Sequence, residues 1–229
     1  MEIVKRYKRF FNKLYYNIFI ENFNKKIDYN TPLNIHRWDV VNLIIKKYKF
    51  NNYLEIGCDE DQLFSKVEIK NKIGVDPKSG GNLRLTSDKF FEKNDKYFDI
   101  VFIDGLHEYD QVINDIENSL KYLNKEGFIL IHDCLPRELS HQAVPRYRHF
   151  WNGDVWKAIV KFRTRKDLNI FTCNIETGIA IIQKKDNEDH LNFTNLNFKQ
   201  IKFKDYYHNY RNYMRIIEYD IFIQKFLSN

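Results

Sequence analysis

The chain has 229 residues, 43% hydrophobic and 30% charged, with a formal net charge of +6. That is length enough for a full core and an ordinary globular composition. Its apolar runs are strand-sized and fall short of the roughly 18 residues of a membrane span, and three cysteines without CxxC spacing (Cys58, Cys134, Cys173) argue against a disulfide framework or a zinc site.

A reducing cytoplasm is the expected compartment, and the N-terminus has no cleavable apolar region. Lys and Arg are spread out rather than clustered as in nucleic-acid patches, so the 19 Phe and 15 Tyr are read as compositional bias. A basic surface favours small anionic partners.

Residues 1–26 have helical periodicity, with Ile3, Val4, Tyr7, Phe10, Phe11, Leu14, Tyr15, Ile18 and Phe19 on one face and basic residues on the other. A membrane-surface helix is one reading. Packing on its own domain, or on a second copy in a homo-oligomer, is the expectation preferred here. Thr31-Pro32 breaks the chain. A short helix over Asp39–Tyr48 follows, then strands over Tyr53–Ile56, Lys72–Val75 and Leu83–Leu85, and a helix over Ser87–Asn94.

Asp99–Ile103 is a further strand and Tyr109–Leu123 a helix. After a turn at Lys125-Glu126-Gly127 comes a strand over Phe128–Ile131. Residues 134–152 form a long loop, a length typical of lids and binding elements. A helix over Asp154–Thr164 precedes two strands, Leu168–Thr172 and Gly178–Gln183, and a helical tail covers Tyr206–Leu227. Strands that are apolar throughout and alternate with helices predict an α/β fold with a mostly parallel sheet covered on both faces. The expected organisation is an N-terminal amphipathic helix (1–30), a central domain (31–185) and a C-terminal tail of that domain (186–229).

Ligands of open parallel sheets bind beyond the C-terminal strand ends. Here those ends are Glu55-Ile56-Gly57, Asp76, Asp104 and His132-Asp133. Asp76 stands about 20 residues after Gly57, where a carboxylate can accept both ribose hydroxyls. The first loop lacks a GxGxxG, with Asp59 and Asp61 where further glycines would fall. Acids there repel a pyrophosphate and suit a cation, which favours S-adenosylmethionine (SAM) over a nicotinamide dinucleotide.

The segments YLEIG (53–57), IGVDP (73–77), RLTSDKFF (84–91), FDIVFIDGLHEYDQV (98–112), GFILIHDC (127–134) and WNGDVWKAIV (151–160) resemble, in order and spacing, class I SAM-dependent methyltransferases of bacterial glycan and natural-product clusters. The resemblance covers about residues 50–185, and the tail FKDYYHNYRNYMRII is similar to that group's C-terminal helix. It implies a Rossmann-like, seven-stranded sheet with one antiparallel strand. Implied cofactor contacts are Glu55, Gly57 and Cys58 in the first loop, Asp76 at the ribose, Ser87 and Asp88 near the adenine, and Asp104 at the sulfonium end. The loop CDEDQ departs from the group by lacking a later glycine.

Methyl transfer to oxygen needs an aligned, deprotonated acceptor. His107, three residues after Asp104, is the expected general base. Asp104 and Asp133 together suit magnesium. Related sugar O-methyltransferases carry an acid beside the second aspartate, whereas His132 occupies that place here and favours manganese, iron or zinc. Alternatively Asp104 orients His107 or the cofactor amine, and His132-Asp133 binds substrate. In the lid and following helix, Arg137, His141, Trp151, Asp154 and Trp156 are the expected substrate contacts, although Trp156 can be core and Asp154 a helix cap.

The expectation is therefore a cytoplasmic SAM-dependent O-methyltransferase acting on a nucleotide sugar or a surface-glycan or capsule precursor, with no nucleic-acid partner. A non-catalytic binding protein of the same fold, or a methyltransferase for another small molecule, is the alternative. The non-catalytic protein would need Asp76 but not Asp104, His107 and Asp133 together.

Overall fold

The computed structural model describes residues 2–187, 189–193 and 197–227, with side-chain surroundings from residue 6 to residue 225. Its centre is a seven-stranded sheet of β1 (Asn52–Ile56), β2 (Asn71–Val75), β3 (Phe98–Ile103), β4 (Leu123–Ile131), β5 (Leu168–Cys173), β6 (Ile179–Lys184) and β7 (Ile216–Ile217). Their order is β2-β1-β3-β4-β6-β5-β7. β6 runs antiparallel to both β4 and β5, and every other pairing is parallel. This is the Rossmann-like class I methyltransferase fold.

Alternation along the strands divides the core in two. Leu54, Ile56, Val101, Ile103, Ile129 and Ile131 point to one face. Tyr53, Ile100, Phe102, Phe128 and Leu130 point to the other. The first face is covered by α3 (Ser87–Phe91), α4 (Tyr109–Tyr122), α6 (Val155–Arg163) and α7 (Phe203–Met214), and the second by α2 (Arg37–Tyr48) and α8 (Tyr219–Leu227). Local signals set the helix ends. Asp39 accepts the His36 N–H at 2.8 Å at the start of α2, and Thr86 Oγ1 accepts the Lys89 N–H at 3.3 Å in α3. Lys49, with φ +54°, ends α2.

Four expectations change. Leu83–Leu85 is no strand, because only Leu83 pairs, in an isolated bridge with Val75. The seventh strand comes instead from the tail, which is two helices rather than one. Arg215 adopts φ +44° after α7, and residues 216–217 then join β5. The turn at 125–127 is an irregular stretch within β4, where the register slips between Phe98 and Ile100. The N-terminal helix α1 (Glu2–Tyr15) ends in a π-turn over Tyr16–Ile20, short of residue 26.

Its apolar stripe does not pack on the domain. Phe10, Phe11, Leu14, Ile18 and Phe19 are exposed. Among the described residues no helix is long and apolar enough to cross a membrane. The 134–152 segment holds one short helix, α5 (Leu139–Gln142), and a cis Val144–Pro145 bond.

Candidate active site

A crevice of about 780 Å³ opens beyond the C-terminal ends of β1 to β4, within the size range of small-molecule sites. Eight carboxyl groups line it, against three Arg or Lys side chains (Arg37, Lys78, Arg146). A protein of net charge +6 thus carries an acid-rich cleft.

Gly57 follows β1 with φ +85°, and a Cβ there would lie 2.3 Å from the Asp104 carbonyl oxygen. Only glycine lets the ends of β1 and β3 approach so closely. In the loop beyond it, Asp59 and Asp61 have φ +47° and +59°. The acids found where glycines were expected therefore keep a left-handed backbone, which Asp tolerates better than most residues. Asp61 Oδ1 accepts the Gly81 N–H at 2.6 Å, joining this loop to the next.

Asp76 ends β2. Its Oδ1 accepts the N–H groups of Lys78 (2.7 Å) and Ser79 (3.0 Å), and its Oδ2 that of Asp59 (3.2 Å). Burial alone would raise its pKa, but these donors and the Arg84 charge hold it below the ordinary Asp value. A carboxylate has about four lone-pair sites, so with three donors bound, room for one ribose hydroxyl remains. Glu55 lies 2% exposed at the crevice floor and accepts the Tyr53 hydroxyl. Burial pushes its pKa up to about 7, against the lowering effect of that bond. Cys58 is buried, and its Sγ would stand 2.8 Å from a Cβ at Gly74. Ser87, at the start of α3, and Asp88 both accept from Gln111 Nε2 at 3.2 Å, and Asp115 accepts from it at 3.1 Å. Burial raises Asp115 to about 6.

The other half of the crevice is a network of side chains. His107 Nε2 lies 3.1 Å from Asp104 Oδ1, and its Nδ1 lies 3.1 Å from Asp133 Oδ2 and 3.3 Å from the Trp151 carbonyl oxygen. His132 Nδ1 lies 3.3 Å from Asp104 Oδ2, while its Nε2 is 3.1 Å from Glu176 Oε2 and 3.0 Å from Thr177 Oγ1. Arg37 reaches Asp104 Oδ2 at 3.4 Å, and its Nε is buried with no protein partner. Asn152 Nδ2 donates to Asp133 Oδ1 at 2.8 Å. Asp133 and Glu176 hold positive φ angles of +61° and +46°, a strain found at functional sites.

These contacts fix the charges. Burial alone would lower the pKa of His132, but the charges of Asp104 and Asp133 and bonds to Asp104 and Glu176 carry it up to about 10. Burial would likewise lower His107, and the Asp104 bond and the Asp133 charge raise it. Asp104 is held well below the carboxylate range, because His132 and the His107 bond outweigh its burial.

The lid positions His107. Gly153 has φ +63°, and a Cβ there would lie 1.7 Å from the His107 carbonyl oxygen. The Asp154 N–H donates to that same oxygen at 3.1 Å, and the Trp151 ring stacks on the imidazole at 5.6 Å. Asp154 Oδ1 accepts the Tyr109 N–H at 2.7 Å, so it caps α4 rather than its own helix. The DGLHEY and WNGDVW segments are thus two sides of one contact.

Trp151 lines the crevice, together with Arg146. Four expected substrate contacts lie elsewhere. Arg137 bonds Thr31 Oγ1 at 3.0 Å, and His141 packs at a tilt against Phe150 outside the crevice lining. Asp154 serves as a cap, and Trp156 is fully buried, donating to Gln142 Oε1 at 3.2 Å and packing on Tyr206. A tryptophan in an amphipathic helix reads equally as core or as a sugar platform, so periodicity could not separate the two. Arg37, Glu176 and Asn152 carried no local signal, because each enters the site from a distant segment. Gln111 and Asp115 could have been found by the i, i+4 spacing that places both on the crevice side of α4.

The residues fit a divalent cation differently from the sequence expectation. Asp104, His107 and Asp133 can each offer one ligand atom, all within 4.8 Å of one another. His132, expected as the nitrogen ligand, lies outside that group, its ring nitrogens facing Asp104, Glu176 and Thr177.

Residues 70–134, the segment holding Asp76, Asp104, His107 and Asp133, match the protein family described as "Methyltransferase domain". The chain is 32% identical over 123 residues to the uncharacterized protein R132 of Acanthamoeba polyphaga mimivirus. The match covers 41% of this chain and 56% of that protein, so the chain spans little more than half the length of the relative. Among solved structures it is similar to the SAH-bound methyltransferase PaMTH1 of Podospora anserina, with TM-score 0.50, 17% identity, and coverage of 66% of this chain and 78% of that one. It is also similar to the O-methyltransferase TomG of Streptomyces achromogenes in complex with SAM, with TM-score 0.50, 10% identity, and coverage of 79% and 98%. At these identities the structural likeness is one of fold.

Proposed function

We propose that the chain is a SAM-dependent O-methyltransferase acting on a sugar hydroxyl, in a nucleotide sugar or a surface-glycan precursor, within the cytoplasm. The observation that carries this reading is the crevice itself. An acid-lined half holding Asp76 and Glu55, which suit ribose and a cationic ligand, runs into the Asp104–His107–Asp133 cluster. SAM, when bound, supplies a methyl group on a cationic sulfur and leaves as a neutral thioether. Asp76 holds the ribose, Ser87 and Asp88 border the adenine end, and Glu55 and Asp104 set a negative field toward the sulfonium.

In this reading His107 Nδ1–H donates to Asp133 and fixes the ring, while Nε2 takes the acceptor proton and Asp104 steadies the resulting imidazolium. Because His107 is raised above the ordinary imidazole value in the free protein, turnover should climb with pH through a midpoint above about 6.5. The sugar is taken beside Trp151 in the crevice lining, and Arg146, whose guanidinium lies 5.3 Å from that ring's centroid, can meet a phosphate.

The convergence of Asp104, His107 and Asp133 favours a second reading of the same site. Those three would hold magnesium or another divalent ion, which would lower the acidity barrier of the acceptor hydroxyl. His107 would then be a ligand and not the base. Chelation separates the two: EDTA abolishes turnover if the ion is required and leaves it intact if His107 acts alone.

Calorimetry with S-adenosylhomocysteine tests the core of the proposal. Binding is expected, and should weaken on Asp76→Ala by about 10-fold or more; an absence of any heat of binding in the wild-type protein sinks it. A screen of nucleotide sugars for methyl acceptance, read by mass, identifies the acceptor. His107→Ala should abolish methylation while retaining cofactor binding.

A further inference from the structure

The N-terminal helix is attached to the domain by the wrong side. On α1 and the π-turn after it, Tyr7, Phe10, Phe11, Leu14, Tyr15, Ile18 and Phe19 are 48–71% exposed. The side turned inward is mixed, with Ile20 packed against the core. Arg9 and Asn12 are half-buried, and Tyr16 is buried. Asn12 Nδ2 donates to the Arg146 carbonyl oxygen at 2.9 Å, Gln142 Nε2 donates to Tyr16 Oη at 2.6 Å, and the Tyr16 ring packs on Tyr147 at 5.9 Å. A helix that folds for its own domain buries its apolar stripe and wets its polar one. Here most of the apolar stripe is left outside, and the helix is held that way by Tyr16 and by specific hydrogen bonds.

Charge decides between the occupants that could cover such a stripe. Residues 1–20 contain five Lys and Arg (Lys5, Arg6, Lys8, Arg9, Lys13) and a single acid, Glu2. A second copy docked stripe to stripe would bring two such cationic segments together. An anionic lipid surface instead takes up the aromatic and aliphatic side chains at the headgroup boundary while the flanking basic residues meet phosphates. The helix is too short and too charged to cross a bilayer, and its geometry is that of an element lying in the plane of one.

We infer that residues 2–20 are an in-plane anchor that seats this protein on an anionic lipid bilayer surface. Its footing is the lid. Arg146, which receives the Asn12 bond, also lines the crevice, and so does Trp151 a few residues on. Seating the helix therefore brings the crevice mouth beside the headgroup layer. The inference stands on the helix alone and does not depend on the methyl-transfer chemistry.

Co-sedimentation of the full chain with lipid vesicles tests it. Vesicles of phosphatidylcholine mixed with phosphatidylglycerol should pellet the protein, vesicles of phosphatidylcholine alone should not, and added salt should weaken the binding. The double substitution Phe11→Glu, Ile18→Glu should lower the bound fraction at least ~10-fold. Both residues are exposed, so the melting temperature and S-adenosylhomocysteine binding should stay unchanged. Failure to bind the mixed vesicles overturns the inference, as does equal binding to both kinds. A dimer in solution that the double substitution dissociates, without any vesicle binding, assigns the stripe to a second copy and overturns it equally.

Discussion

The two halves of the crevice are built in different ways. On the Asp76 side the work is done by backbone. Three main-chain N–H groups clamp one carboxylate, Gly57 admits the neighbouring strand end, and Asp59 and Asp61 turn the loop through left-handed angles. On the His107 side the work is done by side chains from five separate stretches, around Arg37, Asp104, Asp133, Asn152 and Glu176. A backbone cradle tolerates changes in side chains that merely line it. A convergent network of largely buried charges tolerates few changes, because each removal leaves a partner uncompensated.

Asp104→Asn attacks the contrast at its strongest point. It takes one carboxylate from His107, His132 and Arg37 at once. We expect methylation to fall by about 10³-fold or more and unfolding free energy, read by urea titration, to fall by about 3–5 kcal/mol. A variant that kept wild-type stability would show that the network is not held together by charge.

His132 gives the pH counterpart. Its folded pKa is raised to about 10, so its protonation stabilises the fold fully below about pH 6.5, and that contribution is lost as pH climbs toward 10. Urea midpoints should fall across this window in the wild type, and fall less in His132→Gln.

Gly153→Ala asks whether the lid positions His107. With a Cβ built 1.7 Å from the His107 carbonyl oxygen and φ in the left-handed region, the contact must open. Turnover should drop about 10²-fold, while S-adenosylhomocysteine affinity, set by the other half, changes little. At the small end, Arg137→Ala should leave the Michaelis constant for the acceptor unchanged, since Arg137 is tied to Thr31 and not to the crevice.

The same contrast explains what could be read from the chain. Strands β1 to β6 announce themselves as apolar runs, and the acidic ends of β1 to β4 locate the crevice. Leu83–Leu85 misleads because a three-residue apolar pattern says nothing about whether an edge partner exists. Arg215 breaks the tail helix without any glycine or proline to mark it. Glu176 and Thr177 look like an ordinary turn between β5 and β6, and their approach to His132 is fixed by the antiparallel return of β6. Asp154 signals a cap correctly, but the helix it caps begins 45 residues earlier in the chain. Local chemistry is legible; which distant element receives it depends on the assembled sheet.

The far margin of that sheet has a consequence for how the molecule is made. β5 is translated well before β7, the strand that flanks its outer side. Until Arg215 and the two residues after it emerge, the Thr172 and Asn174 N–H groups lack the carbonyls of Arg215 and Ile217 that later satisfy them. The Asn169 side chain likewise awaits the Arg215 guanidinium. A nascent chain, or one clipped by a protease after α7, would display that margin as an open template for another copy. Closing residues 215–217 onto β5 thus covers that margin with a paired strand.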